Sequence, residues 1–161
     1  MAIPSYNLLV IEDSKRDALL LERTLKQAQD ATFAVTCVDS AQAGLEALGT
    51  QAYDLVLLDY YLPDMDGLAF LQQKQQRGIT TPVIMMTAFG HGPGLPVAAL
   101  RAGAVDYFAK DQMTSLLLSK AIKQAIEKTR LERQVAADAA RVHELEATVA
   151  RLQQQIKDQD H

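Results

Sequence analysis

Five side chains in this 161-residue chain have the types and positions to handle a cation and a phosphoryl group: Glu12, Asp13, Asp59, Thr87 and Lys110. Each stands at or just past a short apolar run. Glu12 and Asp13 follow NLLVI, Asp59 follows LVLL, Thr87 closes VIMMT and Lys110 follows AVDYFA. Carboxylates brought close together repel, and a raised pKa or a bound hard cation relieves the repulsion. Oxygen donors with no His or Cys beside them select Mg2+ or Mn2+ over zinc. A lysine and a threonine hydroxyl nearby suit a transferred phosphoryl group, because that chemistry is mostly positioning and neutralisation of oxygen charge. An aspartate so placed can itself be the nucleophile.

The elements that must bring these residues together alternate in type. Asn7 to Ile11, Phe33 to Val38, Leu55 to Leu58, Val83 to Thr87 and Ala104 to Ala109 read as strands, being short, apolar or β-branched and bounded by turn or charged residues. Lys15 to Gln29, Ala41 to Leu48, Leu68 to Gln76 and about Val97 to Ala102 read as helices, the first two with Ser14 and Ser40 as N-caps. Strands alternating with helices predict a doubly wound α/β fold with a parallel sheet covered on both faces. The unbroken apolar character of LLVI and LVLL fits central strands buried on both sides. In such a sheet the carboxyl ends of the strands form the binding rim, and all five residues fall there.

Composition narrows the function classes. With 48% hydrophobic residues the chain has enough apolar side chains for a core, and its length fits one ordinary domain with some residues to spare. Sixteen Lys and Arg face twenty Asp and Glu, and the parts before and after Lys128 are both mildly acidic, so no basic surface points to nucleic acid or anionic lipid. The single Cys37 excludes a disulfide framework, and its apolar strand makes it an expected core residue. No apolar stretch reaches membrane-spanning length and no signal peptide is evident, which leads to the expectation of a cytoplasmic protein without a membrane partner.

The C-terminal part differs. From Ser115 to about Asp158 there is no Gly or Pro, and the composition predicts one helix, roughly 65 Å long at 1.5 Å per residue. With Val142 at heptad position a, Leu145 falls at d, Val149 at a, Leu152 at d and Ile156 at a, and Val135 and Leu131 continue the seam backward. Arg141 at g and Glu146 at the following e make the pairing of a parallel dimer, whereas Asp138 at d and Lys128 at a mark a weak layer. The expected division is residues 1–128 as a globular domain and 129–161 as a helical coiled-coil extension.

Glu12-Asp13, Asp59 within DLVLLDYYLPDMDG, Thr87-Ala88, and Tyr107 three residues before Lys110 together resemble the receiver domain of two-component response regulators, from about Tyr6 to Lys128. The resemblance implies a flavodoxin-like five-stranded parallel sheet of order 2-1-3-4-5. It implies a phosphorelay signalling domain that promotes only its own phosphorylation and dephosphorylation, not an enzyme acting on other substrates. Asp59 would be the phosphoacceptor, served by a sensor histidine kinase, a phosphotransfer protein or a small donor. Mg2+ would be held by Asp13, Asp59 and the backbone carbonyl of Tyr61, with Glu12 acting through water. Lys110 would pair with phosphoryl oxygens and Thr87 would shift to bond one of them. Tyr107 would turn into the space Thr87 leaves, and Ala88 would keep the acyl phosphate open to a donor. Tyr61 is bulky for its place, so we expect it to shield the acyl phosphate from water.

A dehalogenase-type phosphatase needs a second Asp where Tyr61 stands, and a flavodoxin phosphate site would be repelled by Glu12 and Asp13. The alternative function is a dimeric scaffold with an unphosphorylated pseudo-receiver. His143-Glu144-Leu145 echoes the start of a kinase phosphoacceptor box, but the residues after it do not continue the box, and His143 is expected to be a solvated helix residue. Asp64 and Asp66 are expected to form a turn between Pro63 and Gly67. Two departures bear on the output. Asp111 replaces the proline usual after the lysine, which leaves the loop trans and rearranged or strained. Gly90 to Pro96 is too rich in breakers for good helix, which predicts a mobile loop, a late or short fourth helix and a signal passed into the fifth helix instead.

Overall fold

The computed structural model describes residues 2–88 and 94–160. Five strands, β1 (Ser5–Ile11), β2 (Thr32–Val38), β3 (Leu55–Asp59), β4 (Val83–Thr87) and β5 (Asp106–Ala109), form one parallel sheet in the order β2-β1-β3-β4-β5. Between them run α1 (Lys15–Lys26), α2 (Ala41–Thr50), α3 (Gly67–Gln76) and α4 (Gly94–Arg101), and α5 covers Ser115–Gln159. This is the expected doubly wound, flavodoxin-like fold.

Strand alternation sorts the core into two layers, because successive side chains point to opposite faces. Leu8, Val10, Leu55, Leu57, Ile84 and Met86 face one way, against Leu21 and Leu25 of α1 and Leu118 and Ile122 of α5. Leu9, Ile11, Val56, Leu58, Val83 and Met85 face the other, against Leu45 of α2, Phe70 and Leu71 of α3 and Ala99 of α4. The second layer is tight enough to dictate glycine at two points. A Cβ on Gly44 would run into the Ile11 side chain, and one on Gly67 would come within 2.8 Å of Met85 Cε and 3.2 Å of the Tyr60 Cα.

Helix starts are capped from near and far. Ser14 Oγ accepts from Asp17 N at 3.2 Å and Ser40 Oγ from Ala43 N at 3.1 Å, as the sequence predicts. Asp66, expected to serve a turn, is the N-cap of α3, accepting from Ala69 N at 2.8 Å. Asp64 reaches across to the start of α2 and accepts from Ala41 N at 3.0 Å and Gln42 N at 2.8 Å.

Some boundaries move. α1 ends at Lys26 and not Gln29, β5 begins at Asp106 and not Ala104, and α4 is short but starts at Gly94, ahead of Val97. Of Gly90 to Pro96, where a mobile loop is expected, residues 90–93 lie outside the described residues and 94–96 are already helical, Pro96 falling in the first turn of α4 where its missing N–H costs no hydrogen bond. Cys37 is not in the core: β2 is an edge strand, and Cys37 stands exposed on it. Its thiol donates to Glu22 Oε1 at 3.1 Å, and partial desolvation there, with the neighbouring carboxylate, pushes its pKa up to about 12.

The chain divides into two units, residues 1–126 and 127–161. In the second, the helix carries Leu131, Val135, Val142, Leu145, Val149, Leu152 and Ile156, all exposed. His143 is exposed as well, as expected for a solvated residue. Among the described residues, no helix is long and apolar enough to cross a membrane.

Candidate functional site

The parallel register brings the strand ends level. Ile11 lies beside Leu58, Asp59 beside Met86, and Thr87 beside Ala109, so the residues that follow the strands converge on one rim. Glu12 N donates to Val38 O at 3.0 Å, continuing the sheet one residue past Ile11, and Tyr60 N donates to Met86 O at 2.9 Å.

One carboxylate oxygen from each of Glu12, Asp13 and Asp59 lies within 4.8 Å of the others, with Glu12 and Asp59 buried and Asp13 exposed. Glu12 Oε1 accepts from Ser14 N at 3.1 Å, and Asp59 Oδ1 accepts from Tyr61 N at 3.3 Å. Lys110 Nζ donates to Glu12 Oε2 at 2.6 Å, Asp17 Oδ2 at 3.0 Å and Asp59 Oδ2 at 3.2 Å. Lys110 opens a short 3-10 turn, Lys110–Gln112, and no cis peptide occurs among the described residues. With Asp111 in the proline position, the loop is trans and still delivers the ammonium to the acids.

Burial pushes Glu12 up to about 7 against the opposing pull of Lys110 and the Ser14 amide, with Asp59 adding repulsion. Burial alone would pull Lys110 down, but its bonds to Glu12 and Asp17 and the charges of Asp59 and Glu12 outweigh that and hold it above its ordinary value. Glu12, Asp59 and Asp17 share one ammonium and Asp13 adds a further carboxylate, so the cluster carries excess negative charge. That all-oxygen set, with excess charge to be neutralised, fits a hard divalent cation.

Thr87 is 2% exposed, and its Oγ1 is a buried polar atom without a hydrogen-bond partner. A buried hydroxyl left unpaired costs about 1–3 kcal/mol. Thr87→Val, which keeps the shape and removes the hydroxyl, is therefore expected to raise the unfolding free energy by about 1 kcal/mol and to weaken binding of fluoroberyllate, a phosphoryl mimic. Urea denaturation and fluoroberyllate titration check the two halves. A destabilised variant would mean that the hydroxyl is satisfied in solution.

Ala88, next in the chain, is exposed. Tyr107 is half-buried and packs against the core layer of α2, α3 and α4. Tyr61 is 55% exposed and meets the Tyr60 ring edge-on, with centroids 4.8 Å apart. The structure thus brings Glu12, Asp13, Asp59 and Lys110 into one cluster and sets Thr87 beside the strand residue that pairs with Asp59. The sequence reading missed Asp17, whose signal is an acidic side chain three residues past the Ser14 cap, in the first turn of α1.

The family model for the response regulator receiver domain matches residues 8–123. The transcriptional activator protein PfeR of Pseudomonas aeruginosa is 40% identical over 110 residues, covering 68% of this chain and 34% of that protein. The transcriptional regulatory protein FixJ of Bradyrhizobium diazoefficiens is 32% identical over 142 residues, covering 86% of this chain and 67% of that protein. This chain thus spans about a third of the first relative's length and two thirds of the second's. The crystal structure of the receiver domain of a Pseudomonas aeruginosa sensor histidine kinase, with a magnesium ion coordinated in its active site cleft, is 26% identical. It aligns over 76% of this chain and 98% of its own, with a TM-score of 0.65. With acidic, hydroxyl and lysine residues at the ends of four strands on one rim of an order 2-1-3-4-5 sheet, the chain belongs to the response regulator receiver domain family of two-component signalling.

Proposed function

We propose that this chain accepts a phosphoryl group on Asp59 from the phosphohistidine of a sensor kinase or phosphotransfer protein. The observation that carries the reading is the convergence of the Asp59 carboxylate, the Lys110 ammonium and the unpartnered Thr87 hydroxyl at adjacent strand ends. An Asp59 carboxylate oxygen attacks phosphorus, the P–N bond to the donor imidazole breaks, and the imidazole leaves with the bonding pair.

Glu12, Asp13 and Asp59, with the Tyr61 carbonyl, would hold Mg2+, or Mn2+ in its place, which when bound neutralises charge on phosphoryl oxygens. Lys110 moves its third hydrogen bond from Asp59 to a phosphoryl oxygen, and the Thr87 hydroxyl gains an acceptor in another. Tyr107 fills the space that Thr87 leaves, and Ala88 keeps the approach open. Tyr61 screens the acyl phosphate from water, so Tyr61→Ala is expected to lose phosphate several-fold faster. An unchanged half-life in a dephosphorylation time course would remove Tyr61 from that role.

Residues 1–128 act as the receiver and 129–161 as a coiled-coil extension through which two copies pair in parallel. Phosphorylation biases the pairing or torsion of that helix and so reaches a partner or an output domain. Hydrogen exchange along 129–161 that does not respond to Asp59 phosphorylation would rule out this route.

Intact mass after incubation with Mg2+ and acetyl phosphate tests the central step. The wild type is expected to gain one phosphoryl group and Asp59→Asn none. A wild type that gains no phosphate and also fails to bind fluoroberyllate would overturn the reading.

A further inference from the structure

We propose that Asp17 is a positioning residue that fixes the Lys110 ammonium from the solvent side, an inference that rests on Lys110 acting on the phosphoryl group at Asp59. An ammonium has three protons, and Lys110 places them on Glu12, Asp17 and Asp59 at 2.6, 3.0 and 3.2 Å. Glu12 and Asp59 also belong to the carboxylate cluster that would take the cation, and Asp17 does not. When cation and phosphoryl group draw those two carboxylates away, Asp17 is the acceptor that Lys110 keeps.

Asp17 is suited to be the fixed end of this contact. It stands in the first turn of α1, its backbone N–H donates to the Ser14 cap at 3.2 Å, and the helix N-terminus favours its charge. Lys110 has the opposite character. Its side chain has four rotatable bonds, it stands on the short turn Lys110–Gln112, and the residue after it is Asp111 rather than a ring that would stiffen the backbone.

Lys110 also borders a cavity of about 100 Å3 lined by Glu12, Asp17, Leu20, Leu21, Met86 and Met113, among other residues. An unanchored ammonium has room there to adopt other rotamers. Asp17 therefore supplies from α1 part of the constraint that the loop backbone lacks.

The test compares full-length wild type, Asp17→Ala, Asp17→Asn and Asp17→Glu at saturating Mg2+, using fluoroberyllate as the probe. Two readouts are followed: fluoroberyllate affinity, and proton exchange at Lys110 Nζ by NMR without the probe. In Asp17→Ala the Lys110 exchange is expected to quicken and the affinity to fall about five- to tenfold, near the low end for an outer partner because Asp17 is 41% exposed. Asp17→Asn is expected to lie between, and Asp17→Glu to restore most of the affinity. Amide exchange in α1 beyond its first turn should stay unchanged, which separates positioning from a structural loss. Unchanged Lys110 exchange in Asp17→Ala would overturn the proposal. So would a rise in affinity, which would make Asp17 a competitor for the ammonium. A wild type that binds no fluoroberyllate would count against phosphoacceptance at Asp59, and the exchange readout, taken without the probe, would still decide whether Asp17 holds Lys110.

Discussion

Phe70→Ala is expected to lower the unfolding free energy by about 3–5 kcal/mol, the usual cost of emptying a buried aromatic site. Phe70 is fully buried in the layer between the sheet and α2, α3 and α4, and it packs near the position where Gly44 has no Cβ. That gap already holds the Ile11 side chain, so neighbours have little freedom to close over the lost ring. Since domains of this kind are stable by about 5–15 kcal/mol, the variant should stay folded at low temperature with a clearly earlier urea midpoint. The same layer contains Leu58 and Met85, which precede Asp59 and Thr87, so looser packing should reach the backbone that carries the site. A loss below about 1 kcal/mol in urea denaturation would mean that the layer repacks freely.

How much of this the sequence reveals depends on how local each cause is. The strands, the rim and the four clustered charges could be read because apolar runs ending in acids or lysine carry both period and position. Ser14 and Ser40 could be read as caps because capping acts within three residues. Cys37 misled, because a parallel strand at the edge of the sheet has much the same apolar composition as a central one, and pattern alone does not say which strand lies outside. Asp64 was legible as a turn residue but not as a ligand of the α2 amides, which stand 22 and 23 positions earlier in the chain. The contact of Asp17 with Lys110 joins residues 93 positions apart, so no local pattern carries it. The unpaired state of the Thr87 hydroxyl depends on what surrounds it in three dimensions.

Leu145→Asp is expected to abolish self-association of the helical extension. Leu131, Val135, Val142, Leu145, Val149, Leu152 and Ile156 are 48–69% exposed along one stripe, with the 3.5-residue spacing that a second helix would cover. Leu145 occupies a d position with Val142 and Val149 at the flanking a layers. In a parallel pair the substitution sets two carboxylates against each other in an apolar layer, where each loses water and gains no partner. Self-association should weaken by at least about a hundredfold, since burying an unpaired charge costs several kcal/mol. Sedimentation equilibrium on the full chain should find the wild type dimeric and the variant monomeric. Asp138→Leu, which replaces a carboxylate at d, should tighten the wild-type dimer by the same logic. Direction follows from Val142→Cys in a Cys37→Ser background: parallel, in-register helices bring the two a-position thiols together, and an intermolecular disulfide should form on mild oxidation. A wild type that is monomeric throughout, or a Leu145→Asp variant that associates as before, would leave the stripe to another partner and remove the dimeric relay from the reading of this chain.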